Sequence, residues 1–302
     1  MKTSAPLVAI ECLAYNHGPY IRQCLDGFVM QKTDFPFIAI VHDDASTDNT
    51  AEIIQEYALK YPDIIKPILE TENQYSKKDG SLGRIIKKAI PEQVRYIALC
   101  EGDDYWTDPY KLQKQVDYME NHPEYAMCFT GAKVLAEIDN GHADLFRDLE
   151  TREYSGDEII SSWIVPTCTV LYKKGVTIPI DKRFIVGDNV TFLSCAKFGK
   201  IHCISEQTGV YRQNAGGWTA THTGYQVLYK WLNHYMALFE YFPEFKKPIK
   251  DQIMKTYARL FFNRILHHDI IGIKFLIQGF DFGQLEFIPI LVNLYKERKS
   301  KG

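Results

Sequence analysis

Glu101-Gly102-Asp103-Asp104 sets three carboxylates around one glycine, directly after the apolar run Tyr96-Ile97-Ala98-Leu99-Cys100. Three acids at the end of one strand repel each other unless something positive sits among them. Hard divalent cations, Mg²⁺ or Mn²⁺, take carboxylate oxygens and commonly share their shell with a substrate phosphate. Gly102 allows the turn and lets a ligand approach the backbone. Two further polar clusters follow apolar runs: Tyr15-Asn16-His17 after residues 7–14, and His42-Asp43-Asp44 after residues 37–41.

The elements that must hold these clusters are strands alternating with helices. Continuous apolar runs at 7–14, 37–41 and 96–100 read as strands buried on both faces. A fourth run at 64–69 contains Pro67 and reads as an edge strand. Helical spacing follows Pro19, Thr50, Leu82 and Pro109. The pattern predicts an α/β fold with a mostly parallel, Rossmann-like central sheet flanked by helices. Ligands of such sheets gather at the carboxyl ends of the strands, where the acids lie. Residues 167–172 read as another strand, 190–198 as a helix, and 200–211 as a strand pair or one bent strand. Beyond Gly224 the pattern is helical, with the boundary near Gly216: a catalytic domain over 1–216 and a helical region over 217–302.

The chain has 302 residues, 46% hydrophobic and 24% charged, with a formal net charge of -3. That supports a full buried core and excludes a global basic field for nucleic acid. Seven cysteines, at 12, 24, 100, 128, 168, 195 and 203, show no C-x-x-C pair. This predicts reduced, buried thiols in a cytoplasmic setting. No signal peptide is expected at the N-terminus, and no apolar run is expected to reach the length of a membrane span. The segment Asp44-Ala45-Ser46-Thr47-Asp48 is not a calcium loop: it lacks the glycine of the sharp turn and a closing glutamate.

Five segments, in order, resemble the family 2 glycosyltransferases, inverting enzymes of the A-type nucleotide-diphosphosugar fold. Ala14-Tyr15-Asn16 resembles the family's T/A-Y-N. Val41-His42-Asp43-Asp44-Ala45-Ser46-Thr47-Asp48 resembles V-x-D-D-G-S-T-D, with Ala45 for glycine. Glu101-Gly102-Asp103-Asp104 resembles D-x-D-D, with Glu101 for the first aspartate. Gly187-Asp188 resembles the later E-D pair, with Gly187 for glutamate, and Val210-Tyr211-Arg212 resembles the closing Y-R. The likeness runs from Pro6 to about Trp218.

The resemblance implies roles. Asp103, with Glu101, holds Mn²⁺ or Mg²⁺ against the diphosphate of a UDP-sugar, and Asp104 contacts the sugar or holds the turn. Asp43 and Asp44 accept hydrogen bonds from the uracil imide and the loop backbone, and Tyr15 stacks near the base. Arg84 and Arg212 lie near the phosphates, unless Arg84 is a surface side chain and Arg212 pins the domain end. Asp188 is the general base that deprotonates the acceptor hydroxyl. The acceptor is a saccharide or lipid-linked saccharide of a cell-surface polysaccharide. Gly216-Gly217-Trp218 reads as a hinged flap, His222 as a loop histidine, and Trp106 as core. The C-terminal helices and the basic end Lys296-Glu297-Arg298-Lys299-Ser300-Lys301 fit peripheral contact with the inner face of an anionic membrane, and equally a homodimer-forming helix pair. Two rivals stand beside this reading. A nucleotidyltransferase lacks support, because no glycine-rich basic loop follows the first strand. A non-catalytic sugar-nucleotide or glycan-binding protein is kept open by Ala45, Glu101 and Gly187.

Overall fold

The computed structural model describes residues 5–138, 145–217, 224–266 and 271–299. Trp218, His222, Ser300 and Lys301 lie outside the described residues. The chain divides into two compact units. The first comprises Met1–Ser155, Trp163–Ile178 and Ser194–Ala215; the second comprises Gly156–Ser162, Pro179–Leu193 and Gly216–Gly302.

The first unit is built on a nine-stranded sheet in the order β3-β2-β1-β4-β8-β6-β9-β5, with β7 also paired to β9. The strands are β1 Val8–Ala14, β2 Phe37–Asp43, β3 Ile65–Leu69, β4 Tyr96–Leu99, β5 Tyr105–Trp106, β6 Tyr125–Ala136, β7 Arg152–Tyr154, β8 Leu171–Lys173 and β9 Lys200–Gln213. Strands β3, β2, β1 and β4 are parallel, as the strand–helix alternation predicts. The other half is mixed: β8 runs antiparallel to β4 and β6, whereas β6 and β9 are parallel. Every residue of β2 is buried, which is why its sequence lacks polar alternation. Pro67 sits on β3, which ends the sheet, where its missing N–H faces no further strand.

Helices α1 Ile21–Val29, α2 Thr50–Lys60, α3 Ser81–Ala89 and α4 Lys111–Asn121 connect these strands. On α1, Ile21, Cys24, Leu25 and Phe28 enter the core. Gly27 lets α1 meet β5: a Cβ there would lie 2.9 Å from the Trp106 backbone nitrogen. Trp106 is core, as expected, with its Nε1 donating to the Cys168 carbonyl at 2.6 Å. The Lys111 ammonium sits 4.1 Å over that ring and donates to Gln115 Oε1 at 2.7 Å. Burial brings its pKa down to about 8. All seven cysteines are buried and free of disulfides.

One expectation changes. Residues 167–172 are not one strand: Thr167–Thr169 forms a 3₁₀ turn before β8. The Thr169 hydroxyl bonds the carbonyls of Thr130 and Pro166, which closes the turn and draws it out of the ladder. Residues 200–213 form one strand with irregular register, shifted at Gly131, where a Cβ would meet the Ser205 carbonyl at 2.7 Å.

The second unit contains α5 Gly156–Ser161, α7 Tyr225–Tyr241, α8 Lys246–Leu266, α9 Ile271–Gly283 and α10 Phe287–Lys299, and α6 Gly187–Phe198 begins in it. Arg183 binds both Asp181 and Glu240 at 2.7 Å, tying the segment before α6 to α7. Contrary to expectation, the stretch Gly272–Glu297 is long and apolar enough to cross a membrane by length and composition, an 18-residue part of it having a mean hydropathy of 1.3 and being mostly exposed. It is broken into two helices at Gln284–Glu286.

Candidate active site

Because β1, β2 and β4 are parallel, the loops after them leave the same edge of the sheet. The first two are tied together. Asn16 accepts the Thr47 N–H at 2.8 Å, and its own N–H donates to Ser46 Oγ at 2.8 Å. The acid turn hugs β1, with the Gly102 N–H donating to the Leu13 carbonyl at 2.9 Å. Gly102 is required sterically: a Cβ there would lie 2.8 Å from His17 Nδ1 and 3.0 Å from the Ala14 Cβ.

The carboxylates of the site diverge. Asp43 is 2% exposed; its Oδ2 accepts the Ser46 N–H at 3.1 Å, while Oδ1 is buried without a hydrogen-bond partner among the described residues. Asp44 turns instead to the segment after β3, accepting the N–H groups of Gln74 at 2.6 Å and Tyr75 at 3.0 Å. Glu101 is exposed and Asp103 half-buried. Asp103 Oδ2 accepts from Asn214 Nδ2 at 2.9 Å and faces His17 Nε2 at 3.9 Å. Asp104 is buried, and its Oδ1 accepts the Arg212 backbone N–H at 2.7 Å. Burial, then the neighbouring Asp103 charge, pushes its pKa well above the usual carboxylate range.

Arg212 is committed to the protein. Its Nε donates to the Asp103 carbonyl at 2.9 Å, Nη1 to Glu137 Oε1 at 2.5 Å and Nη2 to Gln23 Oε1 at 2.8 Å. Its guanidinium carbon lies 4.6 Å from the Tyr20 ring centre and 5.5 Å from that of Tyr105. Glu137, Gln23, Tyr20 and Asn214 belong to no motif in the sequence, and nothing in their spacing announces them. Arg84 is exposed on α3 and bonds the Asp79 carbonyl at 2.8 Å. Tyr15 is 48% exposed. Asp188 lies in the second unit, half-buried in the first turn of α6, where the helix dipole favours a carboxylate.

Asp103 and Glu101 offer hard oxygen donors, yet among the described residues no three His, Cys, Asp or Glu side chains stand together as a metal cage. That donor set fits Mg²⁺ or Mn²⁺ completing its shell with phosphate oxygens, and does not fit a cation held by protein alone.

A half-sheet of parallel strands with acids on its carboxyl edge, joined to a mixed half, is the A-type nucleotide-diphosphosugar transferase fold. Residues 13–177 match the model of Glycosyl transferase family 2, and the chain belongs to that family. The uncharacterized protein Rv1520 of Mycobacterium tuberculosis is 37% identical over 233 residues, covering 76% of this chain and 66% of that protein, just under two thirds of its length. Among solved structures, S. aureus TarS 1-349 in complex with UDP-GlcNAc matches with a TM-score of 0.64 at 16% identity, over 92% of this chain and 80% of its own. The mannosyltransferase PcManGT from Pyrobaculum calidifontis, in complex with GDP-Man and Mn²⁺, matches with a TM-score of 0.56 at 17% identity, over 96% of this chain and 84% of its own. At these identities the structural likeness establishes the fold.

Proposed function

We propose that this chain is an inverting, metal-dependent glycosyltransferase that takes a sugar from a UDP-sugar to a saccharide or lipid-linked saccharide acceptor of a cell-surface polysaccharide. The observation that carries the reading is Asp43. Its Oδ1 is a buried acceptor lacking a hydrogen-bond donor among the described residues, on the last residue of β2 at the carboxyl edge of the sheet. The N–H of a nucleobase imide satisfies such an atom, whereas leaving it unsatisfied is costly. TarS and PcManGT, bound to UDP-GlcNAc and to GDP-Man with Mn²⁺, support a nucleotide-sugar donor.

Asp103, with Glu101, would hold the cation, which when bound would supply positive charge against the leaving diphosphate. Tyr15 covers the base, and Asp44 keeps the 74–75 segment against the same loop. Asp104 and Arg212 hold the acid turn to β9. Asp188 receives the acceptor hydroxyl's proton while that oxygen bonds the anomeric carbon; the bond to the diphosphate breaks and its electron pair leaves with the diphosphate. The enzyme works in the cytoplasm against the inner membrane face. Ile273, Ile277 and Phe280 on α9, and Ile288, Val292 and Tyr295 on α10, are exposed at helical spacing beside Lys274 and Lys296. This combination of apolar stripe and basic residues suits an anionic membrane interface. Co-sedimentation with anionic but not neutral vesicles tests that contact; a dimer without vesicle binding overturns it.

Release of UDP from a panel of nucleotide sugars, with and without Mn²⁺, tests the function. One UDP-sugar should be turned over only with the cation, and Asp188→Asn should lower transfer by about 10²-fold or more while donor affinity holds. Unchanged turnover in Asp188→Asn removes that residue from the mechanism. Donor binding without release across the panel, even with acceptor saccharides, favours a non-catalytic binding protein.

A further inference from the structure

His17 has no part in the roles above, yet it is built into the acid turn. Its carbonyl accepts the N–H groups of Tyr20 and Ile21, both at 2.8 Å, which fixes its backbone at the start of α1. Its ring lies against Gly102, where a Cβ would come within 2.8 Å of Nδ1, so the glycine between the acids is what admits the imidazole. The other ring nitrogen, Nε2, faces Asp103 Oδ2 at 3.9 Å.

The two nitrogens differ in surroundings. Nδ1 is buried without a hydrogen-bond partner among the described residues. An N–H at that buried position would lack an acceptor, which costs more than a lone pair lacking a donor, so the geometry favours an N–H on Nε2. At 3.9 Å that N–H is too far from Asp103 to bond it directly. It therefore stands beside the proposed cation ligand with its hydrogen available to an incoming acceptor. The guanidinium at the acid turn is otherwise engaged, Arg212 bonding Asp103, Glu137 and Gln23, and the Arg84 side chain bonds Asp79. A diphosphate at the acid turn needs N–H donors that these arginines do not supply.

We propose that His17 is a donor-binding residue whose Nε2–H hydrogen-bonds a non-bridging oxygen of the sugar donor's diphosphate beside Asp103. This rests on the nucleotide-sugar reading. Hydrogen bonds to anionic oxygens are the strong ones, and losing one weakens binding by about ten-fold or more.

Calorimetric titration with UDP and with uridine, both in Mn²⁺, separates the diphosphate contact from contacts to the base and ribose. His17→Ala should weaken UDP about ten-fold and leave uridine within about two-fold, and His17→Gln, which keeps an N–H donor, should recover part of the loss. Equal losses for UDP and uridine, or no loss, overturn the proposal. Long-range ¹H–¹⁵N spectra of the unsubstituted protein give an independent readout that no folding defect can obscure. The proton should reside on Nε2, and an Nδ1–H tautomer overturns the assignment. UDP bound normally by His17→Ala removes His17 alone, whereas failure of the unsubstituted protein to bind any nucleoside diphosphate removes the nucleotide-sugar reading with it.

Discussion

Arg212 offers the sharpest separation of a positioning role from a phosphate-binding one. Arg212→Met keeps most of the stem and removes the charged fork. The guanidinium is 7% exposed, and its loss strips donors from the Asp103 carbonyl, Gln23 Oε1 and Glu137 Oε1. The two neutral acceptors cost about 1 kcal/mol each. Glu137 is 35% exposed and regains water, so its share falls below that of a fully buried partner, about 1–2 kcal/mol. The expected loss is about 3 kcal/mol. Urea unfolding monitored by tryptophan fluorescence should show it as a lower midpoint with an unchanged slope. Arg212→Lys should recover less than half, because one ammonium cannot reach three acceptors set around a planar fork. UDP affinity should fall only modestly, through loosening of the acid turn. If Arg212→Met keeps its stability within about 0.5 kcal/mol while UDP affinity drops ten-fold, the arginine is a diphosphate ligand and the positioning argument is wrong.

Two further changes probe backbone and charge. Ala45 holds φ at 61°, where a Cβ is strained, so Ala45→Gly should stabilise the protein by about 0.5–1 kcal/mol in urea unfolding, net of glycine's chain entropy. Burial on β1 raises the Glu11 pKa from 4.5 to about 7, so the folded state holds its proton more tightly than the unfolded chain. That stabilisation is complete below pH 4.5 and is lost as pH rises towards 7, a span of 7 − 4.5 units, or about 3 kcal/mol at most. Glu11→Gln should therefore shrink the difference in urea midpoint between pH 5 and pH 8, and an undiminished difference would show that Glu11 is ionised in the fold.

The parallel half of the sheet was legible because burial on both faces writes itself as apolar runs, as in Phe37–Asp43. The mixed half was less so. Strand β5 is only Tyr105–Trp106, and its pairing exists because β9 passes beside it, which no local pattern encodes. Thr167–Thr169 carries strand composition but is bent by a threonine hydroxyl that finds carbonyls 39 residues and 3 residues away. The Arg212 cluster was hidden for the same reason: Gln23 and Glu137 lie 189 and 75 residues from their partner, without a spacing rule to join them. Gly102 was legible as a turn, but its steric reason, the imidazole of His17, belongs to tertiary structure.

The paired aspartates show where motif reading stops and geometry takes over. Asp43-Asp44 and Asp103-Asp104 look like doubled versions of one function, yet each pair splits in the same way. Among the described residues the first residue of each pair keeps an oxygen that no protein donor takes up: Asp43 Oδ1 is buried without a partner, and Asn214 and His17 both face Oδ2 of Asp103. The second is consumed by the protein, Asp44 by the N–H groups of Gln74 and Tyr75, and Asp104 by that of Arg212. In each pair the two carboxylates are drawn to different partners, so the two adjacent acids do not converge on one point. The second acid instead fixes the loop from which the first one works. Its burial is tolerable because a backbone donor meets it and because Asp104, with its raised pKa, need not carry full charge. Removing the second acid of either pair should therefore cost order in the loop before it costs any contact with the donor.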